Sequence, residues 1–309
     1  MRSAVEVESD RPILKERPLS EAREIREILF PSDLTPASER AFEHAALLAE
    51  RLGARITLYH VVQGHVASDA GARPDRRAEV VRRAEREAHD RLERQASGLS
   101  SPRELLVERD DSVHRALLRT LLKRKPDLTV MSTHGRGRLA QLFLGSVAET
   151  ALNGARASLL LVREPDHGVA LPYRRILVPT DMSMLSGRAF PMASLLARAF
   201  GAEVIGLHVA APPLGDRAFG TSGVTYEVER GVPTEKAMCE FLGSEFAGVK
   251  VLPRVLMGSA WDRILETAKR ERADLIVMST HGHDSLADRL IGSHTERVVR
   301  HASCPVLVV

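Results

Sequence analysis

Ser132-Thr133-His134-Gly135 and, after nine intervening residues, Gly145-Ser146 carry the residue types that bind a chain of phosphates. A glycine has no Cβ, so backbone N–H groups around it can come close to an anion. A Gly-Ser pair opening a helix adds the N–H groups and dipole of a helix N-terminus, which favour phosphate. The intervening residues are enough chain to wrap a polyphosphate. The same arrangement returns at Ser279-Thr280-His281-Gly282 and Gly292-Ser293. Both copies follow near-continuous apolar runs, LTVM and LIVM, of the kind that form strands covered on both faces.

These words belong to a larger duplication. Residues 127–149 and 274–296 are identical at 13 of 23 positions without a gap, and residues 28–48 and 176–196 at 11 of 21. Repeats of about 147 residues duplicate a whole domain, since solenoid units run roughly 20–50 residues. The expected division is a flexible leader over 1–25, an α/β domain over 26–162, a linker over 163–173 and a second α/β domain over 174–309.

The elements that must position the loops follow from local pattern. Strands are expected over 28–30, 56–62, 105–108, 128–131 and 159–162, and again over 176–178, 203–209, 251–256, 275–278 and 306–309. Helices are expected over 36–52, 75–95, 113–123 and 147–152, and over 186–200, 234–246, 261–270 and 295–301. Thr35-Pro36 is a cap followed by proline at the first helical position, and Gly53 ends that helix. Strands alternating with helices imply parallel sheets with right-handed crossovers. The fold class is α/β: two tandem open parallel sheets flanked by helices. Ligands on such sheets sit at the carboxyl ends of the strands, where strand order reverses. That places Pro31-Ser32-Asp33 and Pro179-Thr180-Asp181, after the first strand of each half, beside the glycine-containing loops.

Composition narrows the function. Net charge is +3, with 44 basic and 41 acidic side chains interleaved, so no basic face marks a nucleic-acid binder. The Arg-rich stretch 76–94 is interleaved with acids and reads as an ion-paired helix face. Two cysteines, Cys239 and Cys304, give neither a disulfide framework nor a metal spacing, which fits a reducing compartment. The N-terminus has no apolar signal region and no run reaches the length of a membrane span, so a cytoplasmic protein is expected. No P-loop motif is present. Gly135-Arg136-Gly137-Arg138-Leu139-Ala140 spells a dinucleotide fingerprint, but it follows the fourth strand and is not repeated, and is read as coincidence. His281, His283, His294 and His301 lack ligand spacing and are read as solvated, with no metal site.

With these residues in place, the chain resembles the universal stress protein family in its tandem form. The family's nucleotide-binding branch carries the pattern G-x2-G-x9-G-[ST]; here the first glycine is serine in both halves, Ser132 and Ser279. The resemblance implies a Rossmann-like, adenine nucleotide alpha-hydrolase-like fold whose halves pair across a two-fold as an intramolecular pseudo-dimer. It implies that Asp33 and Asp181, with the backbone of Val61 and Val209, hold an adenine. Ser132, His134, Gly135, Gly145 and Ser146 would then cradle ribose and phosphates, as would Ser279, His281, Gly282, Gly292 and Ser293. Pro31, Ser32, Met131 and Val147, with Pro179, Thr180, Met278 and His294, complete the candidate nucleotide-binding set.

The implied function is an ATP-binding regulatory protein of the stress response, without dedicated catalysis. Slow ATP hydrolysis stays compatible, with Mg²⁺ held mainly by the phosphates. One alternative is a nucleotide-free scaffold, in which the glycines only turn the chain and the aspartates only cap helices. Another, an adenylating ligase, would need a Ser-Gly-Gly-x-Asp-Ser loop where Pro31–Ser38 reads PSDLTPAS. The partner is an adenine nucleotide, up to two per chain, with association of full chains into a homodimer left open. Arg136 and Arg138 in the first insert, against Asp284 in the second, favour tighter binding by the first half.

Overall fold

The same five-strand unit forms twice because the same short apolar runs recur, each bounded by a cap or turn residue. The computed structural model describes residues 24–64, 74–133, 145–154, 158–163, 171–210, 233–280 and 292–309. The first half runs β1 (Glu27–Pro31), α1 (Pro36–Leu52), β2 (Arg55–Val62), α2 (Pro74–Ala96), β3 (Arg103–Arg109), α3 (Val113–Arg124), β4 (Leu128–Ser132), α4 (Ser146–Gly154) and β5 (Ser158–Val162). The second runs β6 (Arg175–Thr180), α5 (Met184–Gly187), α6 (Phe190–Phe200), β7 (Glu203–Ala210), α7 (Glu235–Leu242), β8 (Val251–Met257), α8 (Ala260–Arg270), β9 (Leu275–Met278), α9 (Ser293–His301) and β10 (Val306–Val308).

Helix α1 starts and stops as its sequence directs. The Thr35 side chain accepts the Ser38 N–H, proline occupies the first turn, and Gly53 ends the helix at φ 64°. Two expected helices are shorter. The helix expected over 186–200 breaks into α5 and α6, because Pro191 lacks an N–H and its ring would meet the carbonyl one turn back. The counterpart of Pro191 in unbroken α1 is Glu43. The helix expected over 234–246 ends at Leu242, where Gly243 takes φ 53° and a 3-10 turn Gly243–Phe246 continues.

The two expected sheets are joined into one. Strand order is β3-β2-β1-β4-β5-β10-β9-β6-β7-β8. Pairing is parallel within each half and antiparallel only between β5 and β10. Leu160 lies opposite Leu307, flanked by Leu161–Val306 and Leu159–Val308. Leu160 and Leu307 are repeat counterparts, so this register is a local two-fold axis through the sheet. It points the strand ends of the two halves in opposite directions. Helices α1, α2, α6 and α7 pack on one face and α3, α4, α8 and α9 on the other.

Each half is stitched at its entrance by the first residue of the long repeated word. The Asp127 carboxylate accepts the N–H groups of Arg26 and Glu27 at 2.9 and 3.0 Å. Asp274 does the same for Arg174 and Arg175 at 2.7 and 2.9 Å. These bonds set β1 against β4 and β6 against β9. No helix among the described residues is long and apolar enough to cross a membrane.

Where α1 meets the second half, His44 is buried and shares a 2.7 Å hydrogen bond with the hydroxyl of buried Tyr173. Tyr173 packs edge-on against Phe200 of α6, ring centroids 5.2 Å apart. Burial, with the charge of Arg40 adding to it, lowers the His44 pKa from 6.5 to about 4. The imidazole is therefore neutral in the fold. As pH falls below the unfolded value the unfolded chain takes up a proton first, so stability is full above about pH 6.5 and drops until about pH 4. Urea unfolding should show wild type losing about 3 kcal/mol more than His44→Gln across that window. Equal slopes in the two proteins would show that His44 does not set this dependence.

Candidate functional site

The strand order reverses between β1 and β4, so their carboxyl ends open a crevice in the first half. The loop leaving β1 is held by side chains on every side. Asp33 Oδ1 accepts the Thr35 N–H at 3.1 Å, the Thr35 hydroxyl at 2.6 Å and the Ser38 hydroxyl at 2.6 Å. Thr35 is thus the cap of α1, and Asp33 braces the cap. Leu34 takes φ 61°, in the left-handed region that a leucine rarely enters. Its N–H donates to Ser32 Oγ at 3.1 Å and its carbonyl accepts from Arg91 Nη2 at 2.6 Å. The second half repeats the device: Met182 has φ 60°, its N–H donates to Thr180 Oγ1 at 2.9 Å, and the Ser183 N–H donates to Asp181 Oδ1 at 3.0 Å. Such strain persists where surrounding groups over-determine it, and it clusters at binding sites.

Strand β2 ties to the same loop. His60 Nδ1 lies 2.7 Å from the Ser32 carbonyl, and His208 Nδ1 3.0 Å from that of Thr180. A carbonyl only accepts, so Nδ1 carries the proton in both imidazoles.

The loop after β4 is pinched at its base. The Thr133 N–H donates to the Val162 carbonyl at 2.9 Å, and the Gly145 N–H donates back to the Thr133 carbonyl at 2.8 Å. Thr280 and Gly292 repeat the pattern, at 3.1 Å to Val309 and 2.7 Å to Thr280. The N–H groups of Gly145 and Gly292 thus serve the pinch, and the N–H groups of the helix N-termini begin with the serine that follows each. Gly292 has a packing reason as well, since a Cβ there would stand 3.2 Å from the Thr280 carbonyl oxygen. The donors at the start of α4 are those of Ser146 and the residues after it. His134, Gly135, His281 and Gly282, with Arg136, Arg138 and the other insert residues, lie outside the described residues.

Above these loops is a cavity of about 630 Å³. Pro31, Ser32, Asp33, Val61, Met131, Ser132, Gly145, Ser146 and Val147, all the expected first-half residues that are described, line it. The structure thus brings together residues from three separated stretches of chain. In the second half Pro179, Thr180, Asp181, Val209, Met278, Ser279, Gly292, Ser293 and His294 occupy the matching ends of β6, β7 and β9 and the start of α9. Some counterparts differ in chemistry: Val147 is matched by His294, and Ala148 lines the first cavity, whereas Thr295 donates its hydroxyl to the Ser279 carbonyl at 3.1 Å.

The sequence reading missed part of the wall. Ala84, Glu87, Ala88 and Arg91 of α2 line the cavity, although that helix was read as an ion-paired face. Glu87 does pair with Arg83 at 2.7 Å, but Arg91 reaches across to the Leu34 carbonyl. Its position beside the buried stripe Val81, Ala88 and Leu92 was the available signal. Tyr59 forms part of the floor; its hydroxyl donates to Glu108 at 2.9 Å, and burial raises its pKa. Just before α3, the Asp110 carboxylate is held well below the usual range by the Ser112 N–H and then by Arg115 and Arg119. His114, in the first turn of α3, places Nε2 3.0 Å from Ser146 Oγ. Nothing in the sequence pattern pairs those two residues. Among the described residues no group of three or more His, Cys, Asp or Glu is placed to hold a metal.

Asp33→Ala removes an acceptor of three hydrogen bonds and should lower stability by about 2 kcal/mol. Asp33→Asn keeps a carbonyl oxygen there and should lose less. Denaturant melts that rank the two variants equally would remove Asp33 from its bracing role.

The profile described as Universal stress protein family matches residues 24–163 and again residues 172–309. A universal stress protein of Methanocaldococcus jannaschii is 38% identical over 141 residues, 44% of this chain and 82% of that protein. A relative from Mycolicibacterium smegmatis, also a universal stress protein, is 28% identical over 302 residues, 91% of this chain and 96% of its own length. Among solved structures, a universal stress protein from Archaeoglobus fulgidus superposes with TM-score 0.67 at 20% identity, covering 92% of this chain and 96% of that one.

Proposed function

The chain belongs to the universal stress protein family, and we propose that it is an ATP-binding regulatory protein of the stress response whose first half holds the nucleotide in the cavity above β1 and β4. One observation carries this reading: residues chosen for adenine and phosphate chemistry, from three distant stretches, line a single cavity. Its volume of about 630 Å³ lies within the usual range for small-molecule sites, roughly 300–1,000 Å³.

The residues fit the ligand's parts. Val61 at the end of β2 offers backbone groups to a base edge, beside the Asp33 loop that the His60–Ser32 bond holds close. Met131 and Tyr59 give an apolar floor for the ring. Ser132 and the first turn of α4 supply hydroxyl and N–H donors for ribose and phosphates. The first turn of α3 meets that of α4 at the His114–Ser146 bond, so two helix N-termini favour negative charge there. This set binds and orients a nucleotide; a regulatory role follows, with hydrolysis slow and incidental. The second half, with the same loops, is the place for a second nucleotide.

Protein purified without added nucleotide, then denatured and chromatographed, should release ATP or ADP. Ala84→Phe, a bulky ring on the half-buried α2 wall, should weaken ATP binding by at least about tenfold with unchanged circular dichroism. Nucleotide-free protein that shows no calorimetric response to ATP would instead support the interaction scaffold.

A further inference from the structure

The His114–Ser146 pair is not part of the motif that pointed to the cavity, and it sits where the phosphates would lie. His114 is the second residue of α3 and Ser146 the first of α4, with Nε2 and Oγ 3.0 Å apart. Ser146 and Val113, the neighbour of His114, both line the cavity. We propose that His114 is a positioning residue for phosphate: it fixes the direction of the Ser146 hydroxyl, so that the first half discriminates nucleotides by their phosphates. This rests on the nucleotide reading of the cavity.

The reasoning is one of hydrogen-bond inventory. A hydroxyl has one proton and two acceptor lone pairs. When Nε2 accepts, it takes the Ser146 proton, and the serine presents only lone pairs to its other neighbours. An anion in the cavity would be repelled by that arrangement. When Nε2 carries hydrogen, as the Nε2–H tautomer or the imidazolium, Ser146 Oγ accepts from it. The serine O–H is then turned away from the imidazole and can donate to a phosphate oxygen. The Ser146 carbonyl is already engaged, accepting the Thr150 hydroxyl at 2.9 Å. A bound phosphate therefore selects the donor form of His114, and the imidazole strengthens the serine as a donor by polarising it.

The second half supplies an internal comparison. Serine is kept there as Ser293, but the repeat counterpart of His114 is Trp261. An indole N–H only donates and cannot exchange roles with a hydroxyl. The Trp261 ring is also engaged by its own half, with the Arg297 guanidinium 5.4 Å from its centroid. The relay is thus a property of the first half.

Two-site calorimetry on the full chain with ATP and with adenosine tests the assignment. His114→Ala should weaken ATP binding at one of the two sites by about tenfold while adenosine affinity changes less than about twofold. His114→Gln, whose amide N–H can still donate, should recover most of the loss. In a Ser146→Ala background, His114→Ala should add little, because the hydroxyl it orients is gone. Unchanged ATP affinity in His114→Ala overturns the proposal. So does an equal loss for ATP and adenosine, which would mark a packing role, or a full additional loss in the Ser146→Ala background. Wild-type protein that binds neither ligand overturns the nucleotide reading itself, and the relay with it.

Discussion

A strand in the middle of a molecule cannot leave its edge groups unpaired, and five parallel strands have two edges. The fold depends on how the inner pair is closed. β5 and β10 meet antiparallel with Leu160 opposite Leu307, and buried backbone donors and acceptors on both are satisfied together. The pairing turns a duplicated chain into one sheet, creates the local two-fold, and aims the two crevices in opposite directions. The outer edges are protected by other means. β3 reads RELLVER, with charge at both ends, and β8 carries Pro253, which has no N–H to offer a further strand. The contact of buried His44 and Tyr173 with partly buried Phe200 then locks the helical layer across the same join.

Duplication preserved the scaffold of the site more strictly than its lining. Both halves keep the left-handed residue after the first strand, the histidine bound to the preceding carbonyl, and the pinch between threonine and glycine. These are backbone devices, and a parallel sheet needs them to deliver loops to its carboxyl edge. The walls diverged. Matching the buried stripe Ala88, Leu92 and Ala96 of α2 to Met238, Leu242 and Phe246 sets Arg91 against Phe241, which packs on Phe190 at 5.5 Å. Ala148 became Thr295 and His114 became Trp261. The two crevices therefore share a frame while differing in what they can recognise.

The parts legible in sequence were those determined by near neighbours. Thr35-Pro36 and Gly53 bound α1 through local dihedral and capping preferences, and the LTVM and LIVM runs became fully buried strands because both faces are covered. Pro191 carried its own signal, a missing N–H within a helical pattern, and the apolar periodicity around it hid the break. What was not legible depends on contacts across the fold. Arg91 reaches Leu34 across 57 residues and His114 reaches Ser146 across 32, with no spacing rule joining either pair. The pinch between the Gly145 N–H and the Thr133 carbonyl is of the same kind, joining residues that no spacing rule pairs.

The central claim concerns what fills the first cavity, and a crystal structure of the full chain grown with ATP tests it most directly. The account predicts base density between the Asp33 loop and the Val61 backbone, over Met131, with phosphates at Ser132 and the first turn of α4. Saturating ATP that leaves this cavity without nucleotide density, or density bound elsewhere on the molecule, would contradict it.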